Sequence, residues 1–152
     1  MSLKHFFTIF ILLCVATFDT KAQSIRLGER IPEIDVASIY GSKLEYADKD
    51  LMCMVFINSK STPCIEAIRN LDTSLLEIMN IVLVTSERID HYDEILNRLD
   101  CRRFAIAHDV DGKTFKSFGI NYVPYGVIYD TNRKRIEWFG PIQHLGGGTY
   151  CE

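Results

Sequence analysis

Leu51-Met52-Cys53-Met54-Val55-Phe56-Ile57 is an unbroken apolar run. A run of this length without polar alternation is the pattern of a strand covered on both faces, which places it at the centre of a sheet. Behind it, Ile65, Ile68, Leu71, Leu75 and Ile78 recur at spacings of three and four, one apolar stripe on a single helix. Asn80 reads as the end of that helix and Ile81–Val84 as a second buried strand. Upstream, Ile34–Ile39 follows Pro32 as a first strand, and Lys43–Tyr46 follows Gly41-Ser42 as a short pairing strand. Downstream, His91–Leu99 reads as a helix and Phe104–Ala107 as a short extended piece ahead of Asp109-Val110-Asp111-Gly112. Thr114–Phe118 is a short helix; Tyr125–Tyr129 and Arg135–Phe139 are strands joined by the polar turn Asp130–Lys134. This order predicts an α/β fold, a mixed central sheet flanked by helices on both faces. No repeat or low-complexity tract interrupts it.

Length changes the picture little: 152 residues, 47% apolar and 24% charged, suit one globular domain with a proper core. The N-terminus changes it more. Lys4 and His5 precede an apolar run from Phe6 to Phe18, and Thr20-Lys21-Ala22 ends in a small residue suited to cleavage before Gln23. The run is shorter than the roughly 20 apolar residues of a spanning helix. Residues 1–22 are therefore expected to be a signal peptide, residues 23–145 the folded domain, and residues 146–152 a flexible tail. Export to a periplasmic or other extracytoplasmic compartment follows, without stable membrane insertion after cleavage. Cys14, preceded by Leu12-Leu13, lacks the small residues of a lipidation site.

The leader carries Lys4, Lys21 and Asp19, so its removal takes the formal charge from −3 to −4. That balance favours solubility and offers no basic patch for nucleic acid. Cys53, Cys64, Cys101 and Cys151 remain, in a compartment where disulfides persist, and four cysteines permit three full pairings among which sequence does not choose. Cys53, inside the central apolar run, suits a small buried hydrophobe. No cysteine has metal-ligand spacing and His91, His108 and His144 are scattered, so neither a metal nor another cofactor is expected.

The chemistry concentrates in Phe56-Ile-Asn-Ser-Lys-Ser-Thr-Pro-Cys-Ile-Glu-Ala-Ile68. With Gly28-Glu29-Arg30-Ile31-Pro32 before it and Val123-Pro124 ahead of the strand 125–129, the chain resembles the thioredoxin-like family, and in particular its exported TlpA and ResA-like branch. Counting from Phe56 without a gap, Cys64 falls where that branch has its second active-site cysteine, Ser61 where it has the nucleophilic cysteine, and Lys60 where it has tryptophan. The resemblance implies a thioredoxin fold whose last helix is shortened or absent here, because Gly146-Gly147-Gly148 resists helix formation. It implies a helix opening at Thr62-Pro63-Cys64, with Pro63 at the first helical position. It also implies a cis-proline loop at Val123-Pro124 that presents backbone groups to a bound peptide by strand addition.

Serine does not replace the missing sulfur, since its hydroxyl stays protonated. Ser61 suits a side-chain cap for the free N–H groups of the helix start. Lys60 either lowers a neighbouring thiol's pKa or is an ordinary solvated lysine, and Cys64 is either a lone exchange thiol or a packed core residue. Cys64 and Ser61 are thus the candidate catalytic positions, and Lys60, Thr62, Val123 and Pro124 the candidate binding positions. Three functions stay open: a degenerate thiol–disulfide oxidoreductase working through Cys64, a redox-inert module holding a client at Val123-Pro124, and a peroxiredoxin-like peroxidase. The last rests on the echo of Thr-x-x-Cys in Ser61-x-x-Cys64, and Ile57 stands where that family has proline. The expected partners are an exported protein or peptide client and, for the first reading, a membrane electron donor.

Overall fold

The computed structural model describes residues 24–36, 38–41, 49–88, 93, 97–98 and 104–145. Six strands form one sheet: β1 (Ser38–Gly41), β2 (Leu51–Phe56), β3 (Met79–Thr85), β4 (Ala105–His108), β5 (Tyr125–Asp130) and β6 (Arg135–Pro141), in the order β1-β4-β3-β2-β5-β6. β2 lies inside the sheet, parallel to β3 and antiparallel to β5, as its unbroken apolar run requires. Helices α1 (Thr62–Arg69), α2 (Leu75–Ile78) and α3 (Lys113–Ser117) accompany the sheet among the described residues, and the 3-10 turn Ile142–His144 follows β6. The mixed sheet with helices on both faces is the expected fold class.

Strand alternation sorts the core into two layers. Cys53, Val55, Ile81, Leu83 and Ile106 join Cys64, Ile68 and Leu71 on the α1 face. Met52, Met54, Phe56, Val82, Val84, Ala105 and Ala107 join Phe118 on the other, where the Phe56 ring meets Phe115 edge-on at 4.9 Å and Phe118 at 5.5 Å. A register shift between Ile128 and Tyr129 sends Ile136 and Trp138, two apart on β6, to opposite layers.

Several boundaries differ from the sequence expectation. The stripe Ile65 to Ile78 is not one helix: α1 stops at Arg69, and the Asp72 carboxylate accepts the Ser74 N–H at 2.9 Å, an Asx turn that redirects the chain before the single turn α2. Ile78 is consequently exposed, and Asn80 sits buried inside β3 rather than ending a helix. Residues 31–36 are not a strand; the first strand begins at Ser38. The preceding segment uses its backbone elsewhere: Gly28 and Ile31 N–H donate to the carbonyls of Ile136 and Lys134 at 2.7 and 2.9 Å, covering the open edge of β6. Farther along, Asp35 N–H donates to the Thr114 hydroxyl at 2.9 Å and Ser117 donates to the Glu33 carbonyl at 2.9 Å, which anchors α3. β4 and α3 lie one residue from their expected starts, and the hairpin strands run one and two residues longer.

The expected strand Lys43–Tyr46, the leader and the residues from 146 onward lie outside the described residues, as do Cys14, Cys101 and Cys151. Of the His91–Leu99 helix, Asp93, Asn97 and Arg98 are described, and all three are helical. Among the described residues, the segment after β6 holds one 3-10 turn, and no helix is long and apolar enough to cross a membrane.

Candidate functional site

β2 and β3 run parallel, so their carboxyl ends open on the same edge of the sheet, where Phe56 pairs with Val84. β5 runs antiparallel and starts there, with Tyr125 opposite Phe56. Topology therefore gathers three loops: the turn leaving β2, the polar segment leaving β3, and the Tyr122-Val123-Pro124 approach to β5. The Val123-Pro124 peptide bond is cis, and Val123 packs against both core layers, including the one that contains Cys64.

The turn is built from local backbone bonds. Ile57 N–H extends the ladder to the Val84 carbonyl at 2.9 Å, Ser61 N–H donates to the Asn58 carbonyl at 3.1 Å, and Lys60 N–H donates to Asn58 Oδ1 at 2.8 Å. Ser61 is then the N-cap of α1, with its carbonyl accepting from Ile65 at 3.1 Å. Its hydroxyl makes no capping bond, contrary to expectation. Thr62 is the first helical residue, so Pro63 is the second, one place later than expected. A capping side chain accepts from the second or third helical N–H; Pro63 has none, which halves the donors open to Ser61 and leaves only that of Cys64.

Cys64 is consequently the third helical residue, and it is completely buried with its thiol free. Its Sγ accepts the Asn58 N–H at 3.5 Å, which places the turn directly over the sulfur. Lys60 and Thr62 are exposed on the outside of this turn, Ser61 is half-buried, and Pro124 is buried. Cys53 is also a free, buried thiol, and burial pushes it up to about 12. It lies within β2, in the same core layer as Cys64.

Three residues of the site, Ser59, Thr85 and Glu87, escaped the sequence reading. Ser59, 2% exposed, donates its N–H to Glu87 Oε2 and its hydroxyl to Glu87 Oε1, both at 2.7 Å. The Thr85 hydroxyl also donates to Glu87 Oε2 at 3.0 Å, and Glu87 N–H donates back to Thr85 Oγ1 at 3.2 Å. The signal was Thr85-Ser86-Glu87, a polar segment directly after a buried strand parallel to β2, and such segments converge at the carboxyl ends of parallel strands. His108, among the histidines named above, ends β4 buried, with Nδ1 unpartnered.

A different feature lies along α1. Pro63, Glu66, Ala67 and Leu71 face Ile142 and Leu145 across a groove of about 310 Å³ that runs back from the helix start.

No protein-family model matches the chain, and no curated protein matches it. Solved structures do. A candidate thiol:disulfide interchange protein, DsbE, from Chlorobium tepidum superposes with a TM-score of 0.62 at 17% identity, over 78% of this chain and 86% of that one. A thioredoxin-like protein solved in its oxidized form gives 0.63 at 17% identity, over 77% and 86% of the two chains. A secreted Mycobacterium tuberculosis disulfide oxidoreductase homologous to Escherichia coli DsbE gives 0.50 at 13% identity, over 60% and 68%. The fold is thioredoxin-like.

Proposed function

We propose that this chain is an exported thioredoxin-like protein of the thiol–disulfide interchange type, in which Cys64 alone carries the exchange. The observation that supports this most is the position of Cys64, at the start of α1 beneath the 58–61 turn and on the sheet edge where the cis Val123-Pro124 loop arrives. With Ser61 in the place of a first cysteine, the chemistry reduces to one thiol. The Cys64 thiolate attacks one sulfur of a client disulfide, a new S–S bond forms, the client S–S bond breaks, and the departing client thiolate takes up a proton. No net oxidation occurs in that step. The client's own freed thiol then reverses it or directs it to another pairing, so a second cysteine on this chain is not needed. The apolar run ahead of Ala22 supports export to the periplasm or its equivalent.

The test is exchange with a disulfide-bonded peptide, followed by mass spectrometry of the trapped adduct. Cys64→Ala should abolish the adduct while Cys53→Ala leaves it unchanged, and an adduct of equal yield in Cys64→Ala rejects the reading.

One observation favours a second reading. Cys64 is wholly buried, which suits a module that holds its client through the Tyr122-Val123-Pro124 loop without sulfur chemistry. In that case Tyr122→Ala, at an exposed ring packed edge-on against Tyr125 at 5.1 Å, weakens client capture and Cys64→Ala does not.

A further inference from the structure

We propose that Glu87 is a positioning residue that clamps the 58–61 turn shut over Cys64, so that release of this clamp controls access to the sulfur. The inference rests on the exchange reading above and adds the device that reconciles it with a buried thiol.

A sulfur with no exposed surface cannot meet a client disulfide; the 58–61 turn must first lift. Its own bonds are local: Ser61 N–H to Asn58 O, Lys60 N–H to Asn58 Oδ1, and Asn58 N–H to Cys64 Sγ, the last a weak sulfur acceptor at 3.5 Å. Among the described residues, the tie that joins the turn to a distant part of the chain is Ser59 to Glu87, 28 residues away. It is bidentate, short at 2.7 Å for both bonds, and made to a carboxylate, the class of hydrogen bond that is roughly twice as strong as a neutral one. Glu87 is in turn oriented by Thr85, whose hydroxyl donates to its carboxylate and accepts its N–H. Ser59 is immediately next to Asn58, whose N–H covers the sulfur, so the clamp acts one residue from the contact it protects.

The clamp sits at an edge of the fold. Local openings of such turns occur without global unfolding, at a frequency set by the bonds that close them. Removing the carboxylate should therefore raise the open population of the turn alone.

Cys53 supplies an internal control, because it is buried in β2 and becomes accessible only when the sheet opens. The full chain is treated with an alkylating reagent, and the modification rate of each cysteine is followed by peptide mapping. Glu87→Ala should raise the Cys64 rate at least about tenfold while Cys53 stays protected; tenfold corresponds to about 1.4 kcal/mol of opening free energy. Glu87→Gln, which keeps an acceptor oxygen for the Ser59 N–H and an amide for its hydroxyl, should restore the rate to within about threefold of wild type. Ser59→Ala should give a smaller rise, and none on top of Glu87→Ala, since both remove one interaction. An unchanged Cys64 rate in Glu87→Ala overturns the proposal. So does a parallel rise at Cys53, which would make Glu87 a support for the whole sheet. The exchange reading fails separately: it is lost if Cys64 of Glu87→Ala alkylates rapidly yet forms no adduct with the disulfide peptide, an outcome that leaves the clamp standing.

Discussion

The indole of Trp138 lies across Gly126: a Cβ at that glycine would sit 2.9 Å from the ring carbon Cζ3 and 3.2 Å from a methyl of Leu145. Gly126 and Gly140 are register partners on β5 and β6, and the same ring lies 3.3 Å from where a Cβ of Gly140 would be. The indole thus occupies the space that two missing side chains leave on the α1 face, next to the residue that closes the groove along α1. Gly126→Ala should force the ring or Leu145 to move and destabilise the fold by about 1–3 kcal/mol. Trp138 is the one tryptophan of the chain, so its emission reports the displacement directly. An unshifted emission together with an unchanged melting temperature would show that the ring accommodates the methyl.

Phe56 is a large, fully buried side chain of the other layer. It lies at the end of β2, with Phe115 and Phe118 against its ring. Phe56→Ala should cost about 3–5 kcal/mol, read from chemical denaturation. Ile78→Lys, by contrast, should stay within about 0.5 kcal/mol of wild type, because Ile78 is 54% exposed. The pair separates an apolar position that the fold buries from one that it leaves exposed although the sequence pattern placed it on a buried helix face; a large loss at Ile78 would mean that its exposed side chain is covered in solution.

That contrast shows what was legible and what was not. β2, β3 and the β5–β6 hairpin were readable because their burial is written in contiguous apolar runs and a polar turn. The break between α1 and α2 was not, since Leu71, Leu75 and Ile78 keep helical spacing straight through the Asx turn at Asp72. The course of residues 28–36 was hidden for another reason: its partners, Ile136, Lys134, Thr114 and Ser117, lie some 80 to 110 positions away, and no local pattern encodes them. At the site, the place of Cys64 at a helix start followed from the motif. Glu87 did not, because a lone acidic residue after a strand has meaning only once β2 and β3 are known to be parallel neighbours.

The Cys53 thiol makes a prediction of its own. Burial pushes it up to about 12, so at pH 8 the thiol stays protonated, even before access is considered. Native protein held at pH 8 with an alkylating reagent should leave Cys53 unmodified until denaturant is added, and peptide mapping measures this directly. Modification of Cys53 in the native state at the rate of a free thiol would place β2 outside the core.

Acid should find its mark at Asp130. The backbone N–H of Arg133 donates to Oδ1 at 2.7 Å, its guanidinium donates to Oδ2 at 2.9 Å, and Asn132 N–H adds a third bond at 2.9 Å. Together they hold the carboxyl below the ordinary carboxylate range, against the opposing effect of burial. A carboxyl whose folded value is depressed binds its proton more readily in the unfolded chain. Its stabilising contribution is therefore complete above the unfolded value of about 3.9 and disappears as pH falls through the lower folded value. Asp130→Asn removes the ionised acceptor, so the variant should melt below wild type at pH 7, and the gap should narrow steadily as pH drops below about 4. Because Thr131 N–H also ties this turn to the Asp50 carbonyl at 2.8 Å, the loosened hairpin should show first as faster amide exchange at residues 131–134. A melting gap that stays constant from pH 7 to pH 2 would mean that Asp130 acts through shape alone and that its charge has no share in holding the turn.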